Sequence, residues 1–375
     1  MKTSQMKKLL SLMLLIVAVA LATGCPTKGS SVPTLTPVVT SGSYSPLKGF
    51  SNLTMRYVNI KGDVMPAEYV LAMPFSEGLG FVFGKDGQTG FVDAKGHLVI
   101  DLSDKDWFNG AVLAGTFSEG MVLAYAEDNQ AGYLDREGHL KIDFQYEWAQ
   151  NFSEGVAAVQ VNGKMGYIDP NGQTVIDLKF DEAGDFSEGL ALVRIGTEYH
   201  VINKSGDLLF QLPGSPMNGK FSEGLLAIYM EESDQVGFVD TEGRMAIPAR
   251  FQSALRFQEG LAAVKQGNRW GYINKDGVMI IDARFESAYP FLNGRAFVQE
   301  EGKWGIINSK GQYVKKPYYD KVESIVPEML ISLYIRDDYF PFSDLHEGFV
   351  ARLAKDDEIY YVHRNGRIVP IKLDD

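Results

Sequence analysis

The chain has 375 residues, 45% of them hydrophobic and 12% aromatic, which supplies a buried core and excludes a disordered chain. Its 36 basic and 48 acidic residues give a formal charge of −12. The basic residues stand singly between acidic ones rather than in a stripe, so the overall field repels phosphate backbones and nucleic acid is not an expected partner.

The opening stretch, MKTSQMKKLLSLMLLIVAVALATGC, sets Lys2, Lys7 and Lys8 ahead of an apolar run from Leu9 to Ala22 and then small residues before Cys25. The run is shorter than the roughly 20 residues of a spanning helix, so residues 1–24 read as a cleaved signal peptide. Leu21-Ala22-Thr23-Gly24-Cys25 resembles a bacterial lipobox, with Ala22 where that pattern prefers leucine. Cys25 is the single cysteine and has no partner for an internal disulfide. Its place at the end of the signal predicts acylation, hence export and a lipid bilayer as a partner. Residues 26–49 are rich in Pro, Ser, Thr and Gly and show no helical or strand period. With Cys25 they read as an acylated, flexible tether over 25–49.

From residue 50 onward the chain repeats itself. FSEG begins at Phe75, Phe117, Phe152, Phe186 and Phe221, then returns as FQEG from Phe257 and FLNG from Phe291. A second phrase follows on the same beat: GFVDAKG from Gly90, GYLDREG from Gly132, GYIDPNG from Gly166, GFVDTEG from Gly237, GYINKDG from Gly271 and GIINSKG from Gly305. VINKSG from Val201 fills the missing slot, with His200 in place of the first glycine. A fixed step of about 35 residues means stacked supersecondary units.

One unit, LAAVKQGNRWGYINKDGVMIIDARF from Leu261, reads as three short strands separated by turns, with a possible fourth strand near the aromatic eight residues after the turn glycine. Asp or Asn at the first turn position bonds its own backbone two residues on, and the glycine supplies positive φ. The recurring aromatics Tyr146, Phe180, Phe251, Phe285 and Tyr319 are expected to fill the seam between units together with the Phe of FSEG. The Glu of FSEG is repeated in unit after unit and is therefore read as part of the stacking geometry rather than as a ring of catalytic carboxylates. Tyr57 to Gly62 looks like the back half of a unit and Tyr360 to Gly366 like a final copy. Between them the beat stretches at a divergent insert of about 323–345, which carries Tyr334, Tyr339, Phe340 and Phe342. Departures from a repeat are frequent binding sites, and a divergent capping unit is the other reading.

Arg269-Trp270-Gly271-Tyr272-Ile273-Asn274 and Lys303-Trp304-Gly305-Ile306-Ile307-Asn308 resemble the bacterial WG repeat, also called the KWG repeat, over nearly all of 50–375. The other units carry Thr89, Ala131, Met165, Tyr199 and Val236 at the tryptophan position. The resemblance implies an all-β domain of exported, surface or multidomain bacterial proteins and brings no catalytic residues with it. The expected fold is a tandem array of three- to four-stranded meanders of about 34 residues, propeller-like, with an open β-solenoid as the alternative.

The five histidines show no metal-helix spacing, and HExxH, G-x-S-x-G, P-loop and dinucleotide fingerprints are absent from the sequence. No catalytic residue, metal ligand or cofactor is assigned. The leading expectation is a membrane-anchored extracytoplasmic lipoprotein whose repeat domain binds an envelope protein or glycan. Its candidate contacts are Tyr334, Tyr339, Phe340, Phe342, Trp270 and Trp304. A hydrolase acting on cell wall or polysaccharide and a structural spacer are the alternatives, and oligomeric state is left open.

Overall fold

The turn residues set the strand boundaries. Asp169 Oδ1 accepts the backbone N–H groups of Asn171 and Gln173, both at 2.9 Å, while the Gly172 N–H donates to the Asp169 carbonyl at 2.9 Å with a φ of 78°. The same closure recurs at Asp93, Asp135, Asn203, Asp240, Asn274 and Asn308. Each is an Asx turn whose fourth residue needs the left-handed region that glycine enters without cost.

The computed structural model describes residues 36–41, 54–59, 63–108, 111–113, 116–217, 219–323, 349–355, 358–363 and 368–370. Among them the strands form eight antiparallel sheets in which the order along the sheet follows the order along the chain. The third sheet is typical: Trp148–Ala149, Ala157–Val161, Lys164–Ile168 and Thr174–Phe180. The sixth (Ser253–Ala254, Ala262–Gln266, Arg269–Ile273, Met279–Phe285) and the seventh (Ser287–Ala288, Arg295–Glu300, Lys303–Asn308, Tyr313–Tyr319) repeat it closely. The fold is an all-β, propeller-like array of four-stranded meanders.

The fourth strand predicted near the +8 aromatic is two elements. The long last strand runs up to that aromatic and ends there, and a two-residue strand follows it as the first strand of the next sheet. FSEG or its variant therefore lies between the first and second strands of the second to seventh sheets, and between the third and fourth strands of the six-stranded first sheet. The partial N-terminal unit is present too, and it uses sequence read as tether: Thr36–Ser41 pairs with Thr54–Val58, which joins the first sheet. At the other end Lys321–Glu323 pairs with Phe349–Lys355 to begin the eighth sheet. The insert thus falls in the connection that carries FSEG elsewhere. Cys25, Tyr334, Tyr339, Phe340 and Phe342 lie outside the described residues.

The glycine of the WG phrase has a steric cause. The last strand shifts register where it crosses the third, as between Trp270↔Phe285 and Tyr272↔Ile281. A Cβ added at Gly132, Gly237, Gly271 or Gly305 would stand 2.5–2.8 Å from a carbonyl oxygen of that crossing strand. The residue after this glycine is the core ring of its sheet. Tyr133, Tyr167, Phe238 and Tyr272 are each 0% exposed and meet Phe152, Phe186, Phe257 and Phe291 of the following FSEG-type phrase edge-on, with centroids 4.8–5.0 Å apart. This ring is the direct aromatic partner of the FSEG Phe. The +8 aromatic is also buried but stands across from the tryptophan position, as in Met165↔Phe180 and Val236↔Phe251. Tyr57 behaves as a full member of the series, 4.9 Å from Phe75.

Candidate binding surface

The repeated Glu residues are consumed by stacking. Ser-Glu-Gly plus the next residue forms a two-residue hairpin turn, closed by mutual backbone bonds such as Ser153 N–H to Val156 O at 2.8 Å and its reverse at 3.3 Å. Both central residues have positive φ, 52–57° for the six glutamates, the type I′ requirement that Asn-Gly meets best. Glu in this region costs about 1–2 kcal/mol. Its carboxylate gives a reason: it crosses to the next unit and accepts the turn glycine's N–H. Glu119 reaches Gly155 at 2.7 Å, Glu154 reaches Gly189 at 3.0 Å, Glu188 reaches Gly224 at 2.7 Å, Glu223 reaches Gly260 at 3.0 Å and Glu259 reaches Gly294 at 2.7 Å.

The serine completes the link. The Ser76, Ser118, Ser153, Ser187 and Ser222 hydroxyls donate to the carbonyls of Phe117, Phe152, Phe186, Phe221 and Phe257, at 2.6–3.0 Å. Cations on the turns of neighbouring sheets brace the same acids, with Arg136 2.8 Å from Glu77, Lys204 3.3 Å from Glu154 and Lys275 3.4 Å from Glu223. The result is a hydrogen-bonded spine of turns, and the structural reading of these glutamates holds.

Trp270 and Trp304 are half-buried on the third strands of the sixth and seventh sheets, across from Phe285 and Tyr319. The Trp304 ring lies 5.2 Å from Tyr289 at an interplanar angle of 31°. Burial pushes the Tyr289 hydroxyl up to about 12. The place the tryptophans occupy is filled by fully covered Met165 and Val236 in the third and fifth sheets, so their first task is packing.

His97 and His139 are exposed beside the turn carboxylates of Asp93 and Asp135, at 3.3 and 3.4 Å. Asp128, in an acid-rich turn, accepts the Gln130 N–H at 3.2 Å. Among the described residues no group of three His, Cys, Asp or Glu side chains converges as a metal site would require.

The surface that sequence reasoning missed is the last strand of each sheet. Val99, Val175, Leu209, Ile280 and Val314 are exposed, each third after a closing turn glycine, and Val278 and Tyr318 add to them. The next residue after Val99, Val175 and Ile280, namely Ile100, Ile176 and Ile281, is buried beneath the closing glycine of the following unit, as are Ile142 and Ile247 at the same place in the second and fifth sheets. The repeat beat could have located both, because the two positions are adjacent and alternate wherever the second is isoleucine.

A family model described as the WG containing repeat matches residues 132–164, 165–199, 237–270, 270–304 and 304–326. No curated protein sequence matches the chain. Among solved structures, one described as the eukaryotic initiation factor is similar over 92% of this chain and 96% of its own, at 12% identity and a TM-score of 0.53. BamB from Moraxella catarrhalis is similar over 80% of this chain and 92% of its own, at 13% identity and a TM-score of 0.39. Kluyveromyces lactis Hsv2 is similar over 66% and 87%, at 11% identity and a TM-score of 0.33. At these identities the first likeness speaks to fold alone, and the family rests on the repeats. The chain is a WG-repeat-containing protein.

Proposed function

We propose that this chain is an exported interaction module, lipid-anchored through Cys25, whose repeat array contacts a protein or glycan of the cell envelope. The observation that carries the binding reading is a division of labour: the invariant phrases are spent on stacking, whereas the exposed last strands differ from sheet to sheet. HLVID in the first sheet, QTVIDLKF in the third and QYVKKPYY in the seventh present different chemistry on one rigid frame. Repeat arrays recognise partners through such variable surfaces. The anchoring reading is supported by the signal grammar of residues 1–24 and by the position of the single cysteine. Trp270, Trp304 and the insert tyrosines and phenylalanines Tyr334, Tyr339, Phe340 and Phe342 are the proposed aromatic contacts.

Two measurements test this. Cells expressing the full chain are fed radioactive palmitate and fractionated. The wild type carries label in the membrane fraction and Cys25→Ala carries none and becomes soluble; an unlabelled, soluble wild type would overturn the anchor. The mature protein is then immobilised against solubilised envelope, with a variant lacking residues 323–345 as control. A partner retained by the wild type and lost by the variant supports the module and its insert contacts, and failure to retain any envelope component removes the binding reading.

A further inference from the structure

The last two strands of the seventh sheet and the start of the eighth reverse the charge pattern of the rest of the chain. From Lys303 to Lys321 the chain carries Lys303, Lys310, Lys315, Lys316 and Lys321 against Asp320 as the only acid, within a protein of formal charge −12. The expectation that basic residues stand singly fails here. Lys303 is paired with Asp320, and an equivalent pair, Lys164 with Asp181 at 2.6 Å, exists in an earlier unit, so this lysine belongs to the repeat. Lys310, Lys315, Lys316 and Lys321 are exposed and have no ion pair among the described residues.

Comparison between units shows that stacking does not ask for these lysines. Lys315 pairs across from Ile306, the register that Ile281 holds with Tyr272 and Ile176 holds with Tyr167. Ile142, Ile176, Ile247 and Ile281 are at most 4% exposed at that place, whereas Lys315 is open to solvent. Lys316 stands where Asp143, Asp177 and Asp282 stand in other sheets. On the same strand Val314 is 45% and Tyr318 49% exposed. Among the residues whose side chains are described, Asp320 is paired with Lys303 and Glu300 accepts the Tyr313 hydroxyl, while Glu323 ends the strand that Lys321 begins. Glu301 sits in the hairpin turn that precedes Lys303.

We propose that the outer edge of the seventh sheet, together with Lys321 at the start of the eighth, binds an anionic polysaccharide. The inference deepens the interaction-module reading and rests on its exported location. Three features select the ligand. Lysine offers compact point charges to carboxylate or phosphate groups. An exposed tyrosine presents an apolar face with a polar tip, suited to a sugar ring. The lysines are also strung along the chain rather than gathered around one point: Lys310 lies in a turn, Lys315 and Lys316 on the last strand of the seventh sheet and Lys321 on the first strand of the eighth, which matches an extended polymer better than a single small anion.

The test uses the mature protein with polygalacturonate as the probe, dextran of equal length as the uncharged control and duplex DNA as the rival polyanion, in 50 and 200 mM salt. Polygalacturonate is expected to bind, dextran and DNA to bind at least tenfold more weakly, and the higher salt to weaken polygalacturonate roughly 50- to 150-fold if four lysines each release counterions. The combined variant Lys315→Gln, Lys316→Gln and Lys321→Gln should lose at least tenfold in affinity with an unchanged melting temperature. Lys141→Gln with Lys179→Gln, on the last strands of the second and third sheets, should not. No polygalacturonate binding by the wild type, equal losses in both variants, or DNA bound as tightly would overturn the proposal. Should polygalacturonate fail while a captured envelope partner still binds the triple variant, this surface falls and the interaction module stands.

Discussion

Glu154 shows how a single side chain meets two opposed demands. Its backbone occupies the left-handed region at φ 53°, and its carboxylate holds the Gly189 N–H at 3.0 Å in the next unit. At Asn293 the same turn has changed to Asn-Gly, the pair a type I′ hairpin prefers, with φ 51°. Two substitutions separate the terms. Glu154→Ala removes the link and keeps the backbone strain, and should cost about 1–2 kcal/mol in chemical denaturation. Glu154→Asn relieves the strain but is too short to reach Gly189, so its loss should be smaller than that of alanine. Equal losses would show that the carboxylate link, not the turn conformation, sets the stability of this position.

At the scale of the element, the third strands of the second, third and sixth sheets each deliver one ring to the seam and one hydroxyl to the backbone beyond it. The Tyr167 hydroxyl donates to Gly184 O at 2.7 Å and the Tyr272 hydroxyl to Tyr289 O at 2.8 Å, both seventeen residues along the chain. Tyr57 repeats the bond to Met73 O at 2.7 Å. Tyr272→Phe should cost about 1 kcal/mol, because the ring stays and a buried carbonyl loses its donor. Burial also drives the hydroxyls of Tyr57, Tyr133 and Tyr272 well above the ordinary value of 10.0. A raised pKa in the folded state means that the unfolded chain gives up these protons first. Their contribution is complete below about pH 10 and is lost as pH rises toward the folded values. Tyrosinate absorbance and loss of strand signal should therefore appear together above pH 10; full tyrosinate absorbance from an intact fold would contradict this.

At the scale of the whole molecule, most neighbouring sheets are tied by the same three devices, the ring pair, the turn spine and the isoleucine beneath a closing glycine, whereas the fourth and fifth share the turn spine and have Phe210 beneath Gly243. Such an array behaves as a line of nearest-neighbour interfaces. Phe186→Ala, which removes the ring 4.9 Å from Tyr167, should cost about 3–5 kcal/mol. Hydrogen exchange should show the loss concentrated in the third and fourth sheets and attenuated at the seventh. Uniform loss of protection would mean that the array unfolds as one unit.

The sequence by itself determined the repeat, the turns and the strand-rich class, because these rest on local chemistry. An Asp or Asn that bonds its own backbone and a glycine at positive φ act within four residues, so Asp169 to Gly172 is legible without a fold. The structural role of the FSEG glutamates was also legible, since repetition marked them. Four things needed the tertiary structure. The assignment of each two-residue strand to the following sheet depends on which chain it pairs with. The use of Thr36–Ser41 as a strand depends on Thr54–Val58 lying beside it, against a composition that favours a tether. The glycine of WG is dictated by a strand crossing above it, ten residues further along. The meaning of Lys315 emerges only when its register is laid over that of Ile281, because a lysine is an ordinary surface residue until the fold shows that its equivalents are buried.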